Sequence, residues 1–254
     1  MRAALVVHRV VHDVEANLSA ILHGVHQASA AGADLVLFPE AALTGLINDD
    51  RPSHDLPLGI EVPGPVMDQL AEAAARCGIW LGLGLLEREG TRLYDAAFLI
   101  APTGQVGLHY RRMQPQWHGA RADPSVYRQG DGLPVLHTPL GTFAFLICGD
   151  LFDDAIVHRF RALGPDWLLY PLARCFSEGA IDQQRWQEEE LPDYVERVQR
   201  IGTTALMVNY LAGRDLMGGA FGGAWVVRPD GEVATSLPLG EEGMLLVDLD
   251  EPVP

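Results

Sequence analysis

The stretch Gly141-Thr-Phe-Ala-Phe-Leu-Ile-Cys-Gly-Asp150 constrains this chain more than any other. A continuous apolar run of this length, opened by glycine, reads as a buried strand. It stops abruptly at Cys148-Gly149-Asp150, so the fold has to put Cys148 where the chain turns out of the core. A sulfur there is held rigidly and can still be reached by a ligand. Gly149 lets the backbone turn sharply and approach closely. Residues 153–162 read as a helix with acidic residues in the first turn. A helix N-terminus just past the cysteine would favour thiolate over thiol. A small packed apolar cysteine fits the same local pattern. This stretch alone therefore leaves nucleophile and packing residue open.

The rest of the chain repeats the same alternation of elements. Ala3 to Val7 reads as a first strand. Val14, Leu18, Ile21, Leu22 and Val25 recur at helical spacing, with Asp13 as N-cap and Gly32 as a stop. Ala33-Asp-Leu-Val-Leu-Phe-Pro-Glu40 is a second apolar strand with a carboxylate at its end. Such a group is partly desolvated, which raises its pKa toward the range useful for proton transfer, and Pro39 fixes its position. A helix over 66–77 and paired strands over 79–86 and 94–100 follow, then a strand over 105–110. Arg111 to Gly132 is long and irregular, of the kind that carries function in compact domains. A hairpin at 135–138 and 142–148, strands at 166–171, 205–210 and 244–250, and a charged helix over 186–202 complete the pattern. We find no linker that would divide residues 1–254, which read as a single domain.

Several classes are excluded by charge and composition. The 254 residues carry a net charge of −16, which repels nucleic acid and anionic membrane alike. No apolar run reaches the ~18 residues of a membrane span, and the N-terminus resembles a first strand more than a leader. Three cysteines, an odd and sparse set, argue against a disulfide scaffold and for a reducing, cytoplasmic setting. His23 and His26 share a helix but have no cysteine or carboxylate pattern to complete a metal site. All 18 basic residues of the Lys+Arg total are arginine, so no side chain here can supply an ammonium.

Together these pieces resemble the nitrilase, or carbon–nitrogen hydrolase, superfamily along almost the whole chain. The resemblance rests on Gly32 to Glu40 with Leu43-Thr-Gly45, Leu93-Tyr-Asp-Ala-Ala-Phe-Leu-Ile100, Pro102-Thr-Gly104 and His109-Tyr-Arg-Arg112. It continues through Gly130-Asp131, Pro139-Leu-Gly141, Ile147-Cys-Gly-Asp150, Val208-Asn209 and Phe221 to Gly231. The Cys-Gly-Asp-Leu-Phe run is most similar to the glutaminase and amidase-type branches. The resemblance implies an α/β fold of four layers, an αββα sandwich, and a homodimer. It also implies a Glu-Lys-Cys triad with a second acid, acting on a small amide-type substrate without metal or organic cofactor. Glu40 matches the base, Cys148 the nucleophile and Gly149 the residue whose N–H helps hold the oxyanion. Arg112 stands where the family has lysine, and Asp123, by an ungapped count, where it has the second glutamate.

Acyl transfer from an amide needs a thiolate, a base that takes its proton and returns it to the leaving amine, and positive charge at the developing oxyanion. Arginine can supply the charge but cannot shuttle a proton. It could also clamp Glu40 through two hydrogen bonds and weaken it as a base. Three readings stay open: an active site with Arg112 as oxyanion donor, a site retuned for binding, and an inert scaffold. A stand-alone glutaminase feeding a partner synthetase is a further alternative. For the substrate pocket, the sequence offers Trp117 and His118 in the long loop, and Arg174 and Cys175 after the 166–171 strand. Arg174 could bind a substrate carboxylate through both nitrogens or pair at the surface with Glu178 or Asp182. Cys175 could be a second pocket thiol or a packed bystander. The acidic stretch 188–196 reads most simply as a solvated face.

Overall fold

Runs that are apolar at every position demand burial on both faces, and the chain meets that demand with two stacked sheets between two helix layers. The computed structural model describes residues 1–176, 179–216 and 219–249. The first sheet is built from β1 (Arg2–Val7), β3 (Leu35–Leu37), β5 (Trp80–Glu89), β6 (Arg92–Ile100), β7 (Val106–Arg111) and β15 (Gly243–Asp248). Its order is β15-β1-β3-β5-β6-β7, and the short β4 (Ile60–Glu61) pairs with the far end of β5. The second sheet holds β8 (Val135–Thr138), β9 (Gly141–Phe145), β10 (Trp167–Leu172), β11 (Thr204–Asn209), β13 (Ala224–Val227) and β14 (Val233–Leu237). Its order is β14-β13-β11-β10-β9-β8. The central strands β1, β3 and β5 of one sheet and β9, β10 and β11 of the other run parallel. A small ribbon joins β2 (Arg9–Val10) to β12 (Leu211–Ala212).

The period-two geometry of a strand shows directly in β1. Ala3, Leu5 and Val7 enter the core between the sheets, while Ala4 and Val6 face the first helix layer. That layer is α1 (Val14–Ala30) and α3 (Pro65–Cys77), which bury Leu18, Ile21, Val25, Met67 and Leu70 against the first sheet. Between them lies one short turn of helix, α2 (Pro52–Asp55). Asp13 caps α1 as expected, its carboxylate accepting from the amides of Glu15 and Ala16 at 3.0 and 3.1 Å. On the opposite side α4 (Asp154–Leu163) and α6 (Leu191–Ile201) bury Ile156, Phe160, Tyr194 and Val198 against the second sheet. The four-layer sandwich is thus present. No helix among the described residues is long and apolar enough to cross a membrane.

Two elements depart from the expected pattern, and both border the site. β3 ends at Leu37, three residues before Glu40, because the chain leaves the ladder into turns with Ala41 at φ +47°. Gly84 secures that exit, donating to the Pro39 carbonyl at 2.9 Å and accepting from the Ala42 amide at 2.8 Å. The helix expected from 186 is also not uniform. A short α5 (Gln183–Arg185) runs into a π turn at Trp186–Glu190 before α6 begins. Pro192, in the first turn of α6, has no N–H to continue an α ladder, and the Leu191 amide reaches back to the Trp186 carbonyl instead.

Candidate active site

The apolar run of β9 ends in a strained turn. Cys148 has φ +44°, a left-handed conformation uncommon for any residue but glycine, and it opens a 3-10 turn over Cys148–Phe152. The buried Asp150 holds the turn in place. Its carboxylate accepts from the amides of Ile147, Met113 and Gln114 at 3.0, 3.1 and 2.8 Å, and from the Tyr110 hydroxyl at 2.6 Å. Burial pushes Asp150 up to about 6 despite these donors. The network ties the cysteine turn to the segment leaving β7. The Tyr170 hydroxyl donates to the Cys148 carbonyl and closes the turn from β10. The helix expected at 153 starts at Asp154, and Asp153 caps it, accepting from the amides of Ala155 and Ile156. Those amides are therefore occupied, and the cation beside the turn is Arg112.

Arg112 is 3% exposed, and its guanidinium links the two halves of the site. Nη1 donates to Glu40 Oε1 at 2.9 Å and to Asp95 Oδ2 at 3.3 Å. Nη2 lies against Gly149, 2.6 Å from where a Cβ at that position would be. That contact explains the glycine: a side chain there would displace the guanidinium. Glu40 is fully buried and has Cys148 as a neighbour. Burial, then the neighbouring Cys148, push its carboxyl up to about 8, and the Arg112 charge only partly opposes them. Arg112 is thus paired with the base through one nitrogen and does not clamp it through two. Asp95, which the sequence motifs did not single out, completes the group. It sits fully buried in β6 between Tyr94 and Ala96.

The carbon-nitrogen hydrolase family model matches residues 2–253. The chain belongs to the carbon-nitrogen hydrolase family. An aliphatic nitrilase from Sinorhizobium fredii is 29% identical over 271 residues, covering 95% of this chain and 83% of that protein. A cyanide hydratase from Stereum hirsutum is 26% identical, covering 94% of this chain and 72% of its own length. Among solved structures, an amidase from Nesterenkonia sp. AN1 superposes with a TM-score of 0.79 at 25% identity, covering 98% of this chain and 93% of that one. That structure shows the result of Michael addition of acrylamide at the active-site cysteine. The present chain is an amidase-like hydrolase.

The other residues singled out from the hydrolase sequence are placed unevenly. Arg174 follows β10, and its fork is already filled: Nε and Nη2 donate to the two oxygens of Glu190 at 2.8 and 2.6 Å. Its partner is Glu190 and not Asp182, while Glu178 lies outside the described residues, and the fork is not free for a substrate carboxylate. Arg174 and Glu190 line a cavity of about 350 Å³ with Phe152, Asp193 and Tyr194. Phe152 belongs to the cysteine turn and packs edge-on against Tyr194, ring centroids 4.8 Å apart, so the cavity opens beside the turn. The π turn brings Glu190 to it, so the 188–196 stretch is not simply a solvated face. Cys175 is half-buried, and its carbonyl accepts from Arg174.

Asp123 does not take the second-acid position. It is exposed, and its carboxylate accepts from the amide and hydroxyl of Ser125 at 2.8 and 2.7 Å. Counting without gaps along an irregular loop placed it wrongly, and Asp95 is the second carboxyl at Glu40. Trp117 is buried in a satellite cluster with Leu86, Leu93, Val126 and Tyr127. His118 bonds to the Gly119 carbonyl and the Gln129 amide, facing a separate cavity of about 260 Å³ shared with Asn48 and Asp50. Among the described residues, neither makes a hydrogen bond to the Glu40–Arg112–Cys148 group. Asp49, His54 and Asp55 are close enough together to suggest metal ligands. The buried Asp55 is satisfied by the Asp49 amide, His54 and the Tyr127 hydroxyl, so the group reads as a structural staple. His26 is bonded to Arg76 and Cys77.

Proposed function

We propose that this hydrolase cleaves the C–N bond of a small amide through an acyl-Cys148 intermediate, with Glu40 as base and Arg112 in the role the family gives to lysine. The observation that carries this reading is the convergence of Glu40, Arg112 and Gly149 on the strained Cys148 turn. Glu40 takes the thiol proton, and the thiolate attacks the carbonyl carbon. The developing oxyanion is met by Arg112 Nη2 and the N–H that follows the cysteine, both fixed before reaction. Glu40 returns its proton to the departing ammonia or amine. It then deprotonates the water that releases the acid and regenerates the thiol. A carboxyl pushed up to about 8 suits both transfers near neutral pH.

The cavity favours short, uncharged acyl groups. It is small, Phe152 and Tyr194 supply its apolar wall, and the fork that would hold a carboxylate is filled by Glu190. The test is ammonia release from a series of short aliphatic amides, with the matching nitriles and glutamine in parallel. Amide hydrolysis lost in Cys148→Ala and Glu40→Gln supports the reading. Turnover of glutamine alone would favour the glutaminase alternative, and no release from any substrate would favour an inert scaffold.

A further inference from the structure

Asp95 lies in the middle of β6 with no exposed surface, beside a base that is equally buried. Its Oδ2 accepts from the same Arg112 Nη1 as Glu40 does. Their other oxygens, Glu40 Oε2 and Asp95 Oδ1, are buried with no partner among the described residues. A carboxylate has no hydrogen to give, so these two groups can bond to each other only if one of the pair carries a proton. The charge count agrees: two buried carboxyls face one guanidinium, and a second carboxylate would stand buried without a partner. The other titratable groups around the trio do not change this count. Asp150 is satisfied by Tyr110 and three amides. Cys148 adjoins Glu40, and Tyr194 and Tyr210 feel the Glu40 charge.

We propose that Asp95 is a positioning residue of the acylation site, an un-ionised acid that donates to Glu40 and shares Arg112 Nη1 with it. The arrangement keeps the guanidinium from closing on the base through both nitrogens and leaves Nη2 at Gly149. The inference rests on the acyl-Cys148 reading above. When Glu40 takes the thiol proton, Asp95 keeps its own, so both carboxyls are neutral and the Arg112 charge is free to stabilise thiolate and oxyanion. Burial, with Glu40 next to it, holds Asp95 well above the usual carboxylate range, as this role requires. The sequence pairs an arginine at the lysine position with a second acid that offsets its clamp on the base.

Two readouts test this. The first is infrared difference spectroscopy near neutral pH, which needs no turnover. Wild type should show the carbonyl stretch of buried un-ionised acid, and Asp95→Asn should lose the part of it that Asp95 contributes. Glu40→Gln should lose that part too, because the single remaining carboxyl then ionises against Arg112. A wild-type minus Asp95→Asn difference containing only carboxylate bands would overturn the proposal. The second is the rate of acyl-Cys148 formation from an activated ester as a function of pH. Asp95→Ala should lose roughly 100-fold in acylation rate with little change in apparent KM, the scale of a misplaced catalytic group. Asp95→Asn keeps a donor to Glu40 and should recover most of that loss. It should also hold its rate on the alkaline side, where wild type falls as Asp95 ionises. If the Ala variant does not fold, the Asn profile decides alone. An Asn variant as impaired as Ala, or one that keeps the wild-type alkaline fall, contradicts the proposal. An infrared result as expected with no acylation in wild type would instead bring down the acyl-enzyme reading, and with it the catalytic role of Asp95.

Discussion

At the scale of single residues, the site turns on how one guanidinium is divided. Arg112 spends Nη1 on two carboxyls and holds Nη2 at the turn after the nucleophile. Arg112→Lys should keep acyl transfer within about tenfold, since an ammonium restores a compact cation. Arg112→Met should lose it by roughly the 3–4 kcal/mol of a missing oxyanion donor. It should also be less stable by several kcal/mol, because buried carboxyls are left without their counter-ion. Rates of ester acylation and denaturant midpoints on both variants check this. Glu40 predicts a pH effect whose sign is unusual for a carboxylate. Its carboxyl is raised from about 4.5 to about 8 on folding, so the folded state binds more protons in that window and stability falls as pH rises through it. Glu40→Gln cannot ionise, so it should melt above wild type at about pH 8, by about 2–4 °C for each kcal/mol regained in a chain this size. The gap should close by about pH 4, below the unfolded pKa; a Gln variant melting below wild type at the alkaline end would contradict the shift.

At the scale of elements, the catalytic groups are carried by strand exits, and each exit has its own lock. The Glu40 exit is locked by Gly84 of β5, where an added Cβ would stand 2.6 Å from the Glu40 Cα and 2.9 Å from the Pro39 carbonyl oxygen. Those are backbone atoms and cannot swing aside. Gly84→Ala should therefore cost about 1–3 kcal/mol of stability and move the base, lowering kcat more than it raises KM. Thermal melts and steady-state rates together check both parts. These exits explain what the sequence disclosed. Glu40 and Cys148 each stand at the end of an apolar run that could be read, Arg112 just follows a mixed strand, and the resemblance gave each a role. Asp95 sits inside such a run, where alternation marks no functional position. Its one signal was a lone carboxyl in a strand otherwise apolar from Leu93 to Ile100. Glu190 and Tyr194 escaped notice because a π turn, set by Pro192, decides which face of the last helix meets the cavity.

At the scale of the whole molecule, the alternation of strands and helices gave an α/β class and the resemblance gave the αββα layering. The inner strands β1, β3, β10, β11 and β13, buried along nearly their whole length, agree with it, because only sheets covered on both sides bury such strands. The stretch Arg111 to Gly132 was legible as a loop, but irregular backbone has no period to place a residue within it, and the ungapped count set Asp123 wrongly there. We propose that the chain forms a homodimer, as the resemblance implies; Phe152 and Leu163, 38% and 46% exposed, leave apolar surface on the second helix layer. Light scattering at micromolar concentration should give twice the monomer mass of 27.6 kDa. The central claim, an acyl-enzyme on Cys148, is tested most directly by intact-mass spectrometry with peptide mapping after brief exposure to an activated acyl ester. The account predicts one acyl group on Cys148 in wild type, none in Cys148→Ala, and slow formation in Glu40→Gln. Acylation at Cys77 or Cys175, or an unmodified wild-type chain that still hydrolyses amide, would contradict it.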